Sequence, residues 1–246
     1  MAYPLIKVTG DTSLAVIFGD EISNEMNEKV RSFDDILASE KIPGIYETVP
    51  TYCQITIHYA PEVVRFNSLK DQLEKLLQQS HHAESSGAYV IDIPVIYGGE
   101  YGPDLDFVAQ HNGLTKEEVI KIHSEPEYLI YMLGFTPGFP YLGGMDERIA
   151  TPRQTSPREK IPAGSVGIAG KQTGIYPMDT PGGWQLIGRT PLALYDPHNS
   201  KPILLDAGMH VRFVPVNQKE YDEIQNQVED GVYVPKIYKS GSKEDA

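Results

Sequence analysis

The chain has almost no cysteine, a single tryptophan, no long apolar run and a shortage of positive charge, and each of these scarcities removes a class of protein. Cys53 is the only cysteine, so no internal disulfide can form, which points away from disulfide-stapled secreted scaffolds. No apolar stretch approaches the ~18 residues of a membrane-spanning helix. The opening MAYPLIKVTGDT has neither the basic nor the apolar region of a signal peptide, so the expected location is the cytoplasm. With 21 Lys/Arg against 34 Asp/Glu, the formal charge of −13 opposes sequence-independent binding to nucleic acid or anionic lipid. The seven histidines show no HExxH, no i,i+4 pair and no cysteine partner, so no metal site is assigned and metal dependence stays open. Small molecules and other proteins remain as partners.

What is present is a chain of 246 residues, 40% apolar, long enough for two medium domains. Residues 3–8 and 13–18 read as strands. Ile22, Met26, Val30, Phe33, Ile36 and Leu37 recur at helical steps through 20–39. A hairpin with arms at 44–49 and 52–59 follows, then a helix at 68–79 with Ser68 as its N-cap and Leu69, Leu73, Leu76 and Leu77 as its stripe. The order ββαββα describes a compact α+β unit over 1–88, closed by the polar segment 80–88.

Beyond it, 89–97 reads as a strand, 104–111 as a helix with Pro103 in its first turn and Asn112-Gly113 at its end, and Thr115 to Glu118 as a capping box for a helix ending near His123. A strand at 127–133, short strands at 192–195, 203–205 and 209–216, a helix at 218–229 and a strand at 232–238 complete a mostly antiparallel β domain over 89–246, with a frayed tail.

Between these elements, residues 134–189 hold 11 of the 22 glycines and 7 of the 19 prolines. Their charge is +2, against −15 for the rest of the chain. Glycine permits φ > 0 and close approach, and proline fixes φ, so the alternation specifies a rigid, loop-rich surface, and its positive charge suits an anionic small ligand. Phe135, Phe139, Tyr141, Ile168, Tyr176, Trp184 and Ile187 are interleaved here and argue against disorder.

Two motifs in the window fail on inspection. Gly164 to Thr173 places five residues between its glycines and Gln172 after the lysine, and no helix follows, so it is not a phosphate loop. Ala163-Gly164-Ser165-Val166-Gly167 lacks the helix that a nucleophile elbow needs. Other residues carry chemistry with a structural alternative beside it. His123 is either a general base or a helix-terminal histidine facing the dipole. Arg153, Arg158 and Lys160, set among Pro152, Pro157 and Pro162, are either an anion-binding group or solvated surface charge. Trp184, between Gly182-Gly183 and Arg189, is either a stacking wall or core packing.

YGGEYGPDL (97–105), GFTPGFPYLGG (134–144), TPR (151–153), PAGSVGIAGKQTGIYP (162–177) and TPGGWQLIGRTP (180–191) together resemble the KipI family, also called allophanate hydrolase subunit 1 or the B-type subunit of 5-oxoprolinase. The resemblance spans nearly the whole chain. It implies an α+β fold class: an N-terminal α+β domain and a C-terminal cyclophilin-like β-barrel bearing these blocks. It implies a cytoplasmic protein that works with a related, KipA-like C-type subunit, the pair using ATP to activate the lactam 5-oxoproline before an A-type subunit opens the ring to glutamate. Another branch of the family inhibits a sporulation histidine kinase, and a homologous module in urea amidolyase is part of a carboxyltransferase. These are the alternatives to the lactam reading.

For that chemistry, Arg153, Arg158 and Lys160, with backbone N–H groups around Gly167, Gly182 and Gly183, would neutralise phosphoryl charge. One arginine would instead take the substrate carboxylate, with Gln172, Tyr141 or Tyr176 reading the lactam N–H and C=O. His123, Trp184 and Arg189 complete the candidate set. ATP is expected at the junction with the partner subunit or wholly on it, because no nucleotide motif occurs in this chain.

Overall fold

The computed structural model describes residues 3–79 and 89–240. The chain divides into two units, Met1–Ser86 and Gly87–Ala246, each with an apolar core of its own. The expected boundary segment 80–88, with His81 and His82, and the tail beyond residue 240 lie outside the described residues.

The first unit follows the ββαββα order: β1 (Leu5–Gly10), β2 (Ser13–Ile17), α1 (Asn24–Glu40), β3 (Ile45–Pro50), β4 (Gln54–Tyr59) and α2 (Phe66–Gln79). Its antiparallel sheet runs β1-β2-β4-β3. Leu14, Val16, Ile55 and Ile57 from one sheet face meet Val30, Phe33 and Leu37 of α1 and Leu69 and Leu73 of α2, all buried. The helix starts differ from the expected ones. α1 begins four residues late because Ser23, in an extended conformation, caps it by accepting from the Met26 N–H at 3.2 Å. α2 begins two residues early because the turn at Ala60–Arg65 already runs into it, the Leu69 N–H bonding to the Arg65 carbonyl, so Ser68 lies inside the helix rather than at its cap.

The second unit opens with β5 (Tyr89–Tyr97), α3 (Leu105–Asn112), α4 (Lys116–Ser124), β6 (Glu127–Leu133) and β7 (Pro140–Gly143). It continues with β8 (Arg158–Ile161), β9 (Ser165–Ala169), β10 (Gln172–Ile175), β11 (Thr180–Gly182) and β12 (Gln185–Arg189), and ends with β13 (His210–Pro215), α5 (Gln218–Glu229) and β14 (Ile237–Lys239). The main sheet runs β10-β9-β12-β5-β13-β6-β7, with β14 on β5. β7 packs back against β10, so the sheet is a nearly closed barrel, as the expected α+β fold class with a C-terminal barrel requires. The pairing is antiparallel except for β5 with β13. β8 and β11 form a separate two-stranded ribbon. The capping box at Thr115 is present, and Gly113 ends α3 with φ of 67°.

The Gly/Pro window is more ordered than a loop-rich surface: it contains β7 through β12. The expected strands at 192–195 and 203–205 touch only through an isolated bridge between Tyr195 and Ile203. The strand expected at 232–238 shrinks to β14, because the N–H groups of Val232 and Tyr233 bond back to the Gln227 carbonyl at the end of α5, and Pro235 has none to give.

Candidate functional site

Successive side chains of a strand point to opposite faces, and β9, β10 and β12 use the two faces differently. Val166, Ile168, Ile175 and Ile187 enter the barrel core, whereas Leu186 joins Phe139, Ile161 and Tyr176 in a second apolar cluster, with Trp184 and Tyr141 packed against it. Gly174 is what lets Trp184 lie down on this second face. A Cβ there would stand 3.1 Å from the Trp184 Cζ3 and 3.4 Å from the Phe139 Cζ. Gly182 is equally constrained, because a Cβ would sit 2.6 Å from the Tyr176 hydroxyl oxygen. The rings meet edge to face: Phe139 to Trp184 at 5.8 Å, Phe139 to Tyr176 at 5.9 Å and Tyr176 to Trp184 at 6.0 Å between centroids. That geometry adds about 0.5–1.5 kcal/mol per pair beyond area burial and fixes the ring positions.

This aromatic wall bounds a cavity of about 290 Å³ lined by Phe135, Phe139, Tyr141, Arg153, Gln172, Tyr176, Pro181, Gly182, Gly183 and Trp184. Tyr141, Gln172, Tyr176, Gly182, Gly183 and Trp184, all expected at a ligand site, therefore come together here with Arg153. The Tyr176 phenol is pushed up to about 12 by burial, against the pull of Arg153 and Arg158, and so serves as a neutral hydroxyl. A larger recess of about 420 Å³ in the first unit, lined by the end of α1 and by β3, has no comparable aromatic wall.

The cations of the window divide sharply. Arg148 pairs with Asp146, Lys171 with Glu147 and Lys160 with Asp179, all on the surface. Arg158 makes a two-pronged bond to Asp104, at 2.7 and 2.9 Å, and also donates to the Trp184 carbonyl at 3.3 Å. Asp104, 9% exposed, further accepts from the Gln154 amide at 3.1 Å and the Leu186 N–H at 2.6 Å. The pair is a bracket that fixes the start of α3 to β8 and β12. The expected convergence of Arg153, Arg158 and Lys160 on one anion is therefore corrected: the prolines space them, but acids already occupy two of the three. Arg189 lies over the Tyr101 ring at 5.5 Å and away from the cavity lining. Among the described residues, Arg153 is the cavity-lining cation, and it makes no ion pair.

Gly167 supports the wall from beneath, a Cβ there falling 3.2 Å from the Trp184 Cβ. Gly164 to Thr173 is the β9–β10 hairpin, so the incomplete phosphate-loop pattern belongs to two strands. Ser165 is fully buried at the start of β9.

His123 departs furthest from its expected role. It is fully buried in the barrel, its ring 4.4 Å from that of Phe213. Its Nδ1 is 2.8 Å from the Tyr97 hydroxyl and its Nε2 is 2.8 Å from the Thr173 Oγ1. The Thr173 hydroxyl donates to the Gly167 carbonyl at 3.1 Å, so it must accept from the Nε2–H of His123, leaving Nδ1 to accept from Tyr97. Burial drives the imidazole down to about 3, which keeps it neutral. No substrate reaches it, and none of its hydrogen-bonding capacity is free, so it is a structural link between α4 and β10 rather than a base.

Sequence reasoning missed Phe135, Phe139 and Pro181 as cavity residues and Asp104 as the acid that takes Arg158. The available signal was the density of aromatics in GFTPGFPYLGG and the lone acid of GPDL.

The family described as carboxyltransferase domain, subdomain C and D, matches residues 4–205, which include every cavity residue. The chain belongs to that family. As a carboxyltransferase subdomain C and D protein it is 46% identical over 226 residues to the B-type subunit of 5-oxoprolinase from Bacillus subtilis, covering 88% of this chain and 94% of that protein. It is 52% identical over 192 residues to the B-type subunit of 5-oxoprolinase from Haemophilus influenzae, covering 78% and 88%. The solved urea amidolyase of Kluyveromyces lactis, 20% identical, superposes with a TM-score of 0.76 over 96% of this chain and 16% of that one, which shows a shared fold. In this carboxyltransferase-domain chain, the barrel face bearing Trp184 is where the matched region and an open cation coincide.

Proposed function

We propose that this chain is the B-type subunit of an ATP-dependent 5-oxoprolinase, and that its aromatic cavity holds 5-oxo-L-proline for activation by phosphorylation. The observation that carries the reading is Arg153: a guanidinium without an acidic partner, facing a cavity whose walls are otherwise aromatic and amide. 5-Oxoproline is a flat five-membered lactam with one carboxylate. Arg153 would take the carboxylate, the rings of Trp184, Phe139 and Tyr176 would cover the ring methylenes, and Gln172 with Tyr141 would meet the lactam N–H and C=O. The names of the relatives supply the reaction class.

A lactam carbonyl is a poor electrophile. Transfer of the ATP γ-phosphoryl group to its oxygen releases ADP and leaves an imidate phosphate. Water can attack that carbon, the ring C–N bond then breaks to give the free amine and an acyl phosphate, and a second water hydrolyses the acyl phosphate to glutamate and phosphate. Such transfer is accelerated chiefly by positioning and by neutralising charge, which is work for donors rather than for a nucleophile. The window offers no helix behind its glycines for binding phosphates, so ATP is assigned to the junction with the C-type partner or to that partner alone. This chain alone then has no ATPase of its own. The test is reconstitution with the purified A-type and C-type subunits. ATP- and 5-oxoproline-dependent glutamate is expected from the three together and not when this chain is omitted. Glutamate formation by the two partners alone at the same rate would refute the assignment.

A further inference from the structure

Phe135 is the most exposed aromatic side chain among the described residues, with 72% of its surface accessible, and it lines the cavity. Its backbone has φ of 68°, in the left-handed region that glycine and asparagine adopt freely and bulky residues avoid. The segment is hydrogen-bonded in place: Gly134 N–H to the Phe139 carbonyl at 3.1 Å, Thr136 N–H to the Gly134 carbonyl at 2.8 Å and Phe139 N–H to the Thr136 carbonyl at 3.1 Å. Glycines occupy both neighbouring turns of GFTPG, yet the strained position carries a large ring. That ring gains little burial in return; it meets Phe139 edge to face at 5.7 Å and otherwise faces solvent. A side chain that is strained, exposed and at a cavity mouth is placed for something that binds there.

We infer that Phe135 is a specificity-determining residue that caps the apolar face of the lactam ring held by Arg153; the inference rests on the function proposed above. The wall of Trp184, Phe139 and Tyr176 is buried, and Phe135, 5.7 Å from Phe139, extends it into the solvent-exposed part of the cavity, where it would cover the bound ring. The ligand class selected is a small saturated ring bearing one carboxylate, in preference to open-chain acids, whose solvated polar ends gain nothing from an aromatic cover.

The test uses the assembled three-subunit enzyme with Phe135→Gly and Phe135→Tyr. Phe135→Gly removes the ring and relieves the backbone, so the KM for 5-oxoproline is expected to rise about tenfold, the effect of losing one aromatic contact on a small ligand. The kcat should stay within about twofold, since a cover on the ring methylenes acts alike on ground state and transition state, and the thermal midpoint should be unchanged or higher. Phe135→Tyr should restore the KM. An unchanged KM in Phe135→Gly overturns the inference, as does a lowered thermal midpoint, which would make Phe135 a packing residue. Weakened association with the C-type partner at constant KM also overturns it, by making the ring a partner contact. If the wild-type assembly itself fails to turn over 5-oxoproline, the proposed function falls and this inference falls with it. A working wild type with an indifferent Phe135→Gly sinks only the role of Phe135.

Discussion

The barrel holds two polar centres that differ in one respect. Inside it, Tyr97, His123, Thr173 and the Gly167 carbonyl form a chain in which each donor has an acceptor. On the face bearing Trp184, Arg153 lines a cavity, exposed to solvent and without an acidic partner among the described residues. The bracket of Arg158 and Asp104 belongs with the first kind. Burial of polar groups is tolerated only when they are satisfied, so the closed networks report on stability, whereas Arg153, exposed to solvent at the cavity, carries no such cost and is available to a ligand. Residue type alone does not make this distinction: Arg153 and Arg158 are near neighbours in the chain and lead opposite lives.

The largest expected effect breaks a closed network. Asp104→Ala leaves the Leu186 N–H without its acceptor, takes the carboxylate from the Arg158 guanidinium, and leaves the Gln154 amide only its longer bond to Gln185. Removing one partner of a largely buried ion pair costs about 3 kcal/mol, which for a chain of this size lowers Tm by roughly 6–12 °C. Differential scanning fluorimetry of Asp104→Ala and Arg158→Ala checks this. A thermal midpoint within a degree or so of wild type in both variants would show that the bracket is dispensable.

Arg153→Ala should do the reverse. It should leave Tm unchanged and lower the kcat/KM of the assembled enzyme by roughly 10²-fold, the order seen when a donor to ligand charge is lost. Retention of more than about half the activity would remove Arg153 from the site. A matching fall in Tm would move it into the class of Arg158.

His123 gives a pH signature for the closed centre. Its folded value, about 3, lies below the ordinary 6.5, so the unfolded chain binds a proton that the folded chain refuses. Stability is therefore flat above about pH 6.5 and declines as pH falls below it, by up to about 2 kcal/mol by pH 5 from this group. His123→Gln, which still offers a donor and an acceptor, should show a shallower loss of urea midpoint between about pH 7 and pH 5 than the wild type. Equal slopes would mean that the imidazole is not held neutral.

Much of this fold was legible in the sequence because its signals are local. Period-two alternation marked β4, the leucine stripe marked α2, and Thr115 to Glu118 marked the start of α4. The unread parts depended on distant partners. The strand expected at 232–238 shortens to β14 because the N–H groups of Val232 and Tyr233 are claimed by the Gln227 carbonyl, and the window was taken for loops because glycines that admit a tryptophan ring look the same in sequence as glycines that turn a chain. Tyr141, Gln172, Tyr176, Gly182, Gly183 and Trp184 were expected at one site from the Gly/Pro window and the lactam chemistry that the family resemblance implies, and they line one cavity. Arg158, Lys160 and His123 were not excluded, because the groups that occupy them, Asp104, Asp179 and the pair Tyr97 and Thr173, lie far off in the sequence, up to 54 positions away.

Gly174 offers the finest test of how tightly the open centre is built. A methyl group there would stand 3.1 Å from the Trp184 Cζ3, so the indole must move by a few tenths of an ångström or tilt away from the β10 backbone. Overpacking of this size costs about 1 kcal/mol, less than the loss of the Asp104 bracket. Trp184 is the only tryptophan, so its emission isolates the event. Gly174→Ala is expected to shift that emission to the red as the ring gains solvent, with a small fall in Tm and a raised KM in the assembled enzyme. Such a result would mean that the wall is held in register by backbone contact and that ligand fit depends on it. If emission and KM both keep their wild-type values, the indole has room to spare, and the selectivity of the cavity must come from Arg153 and the rim alone.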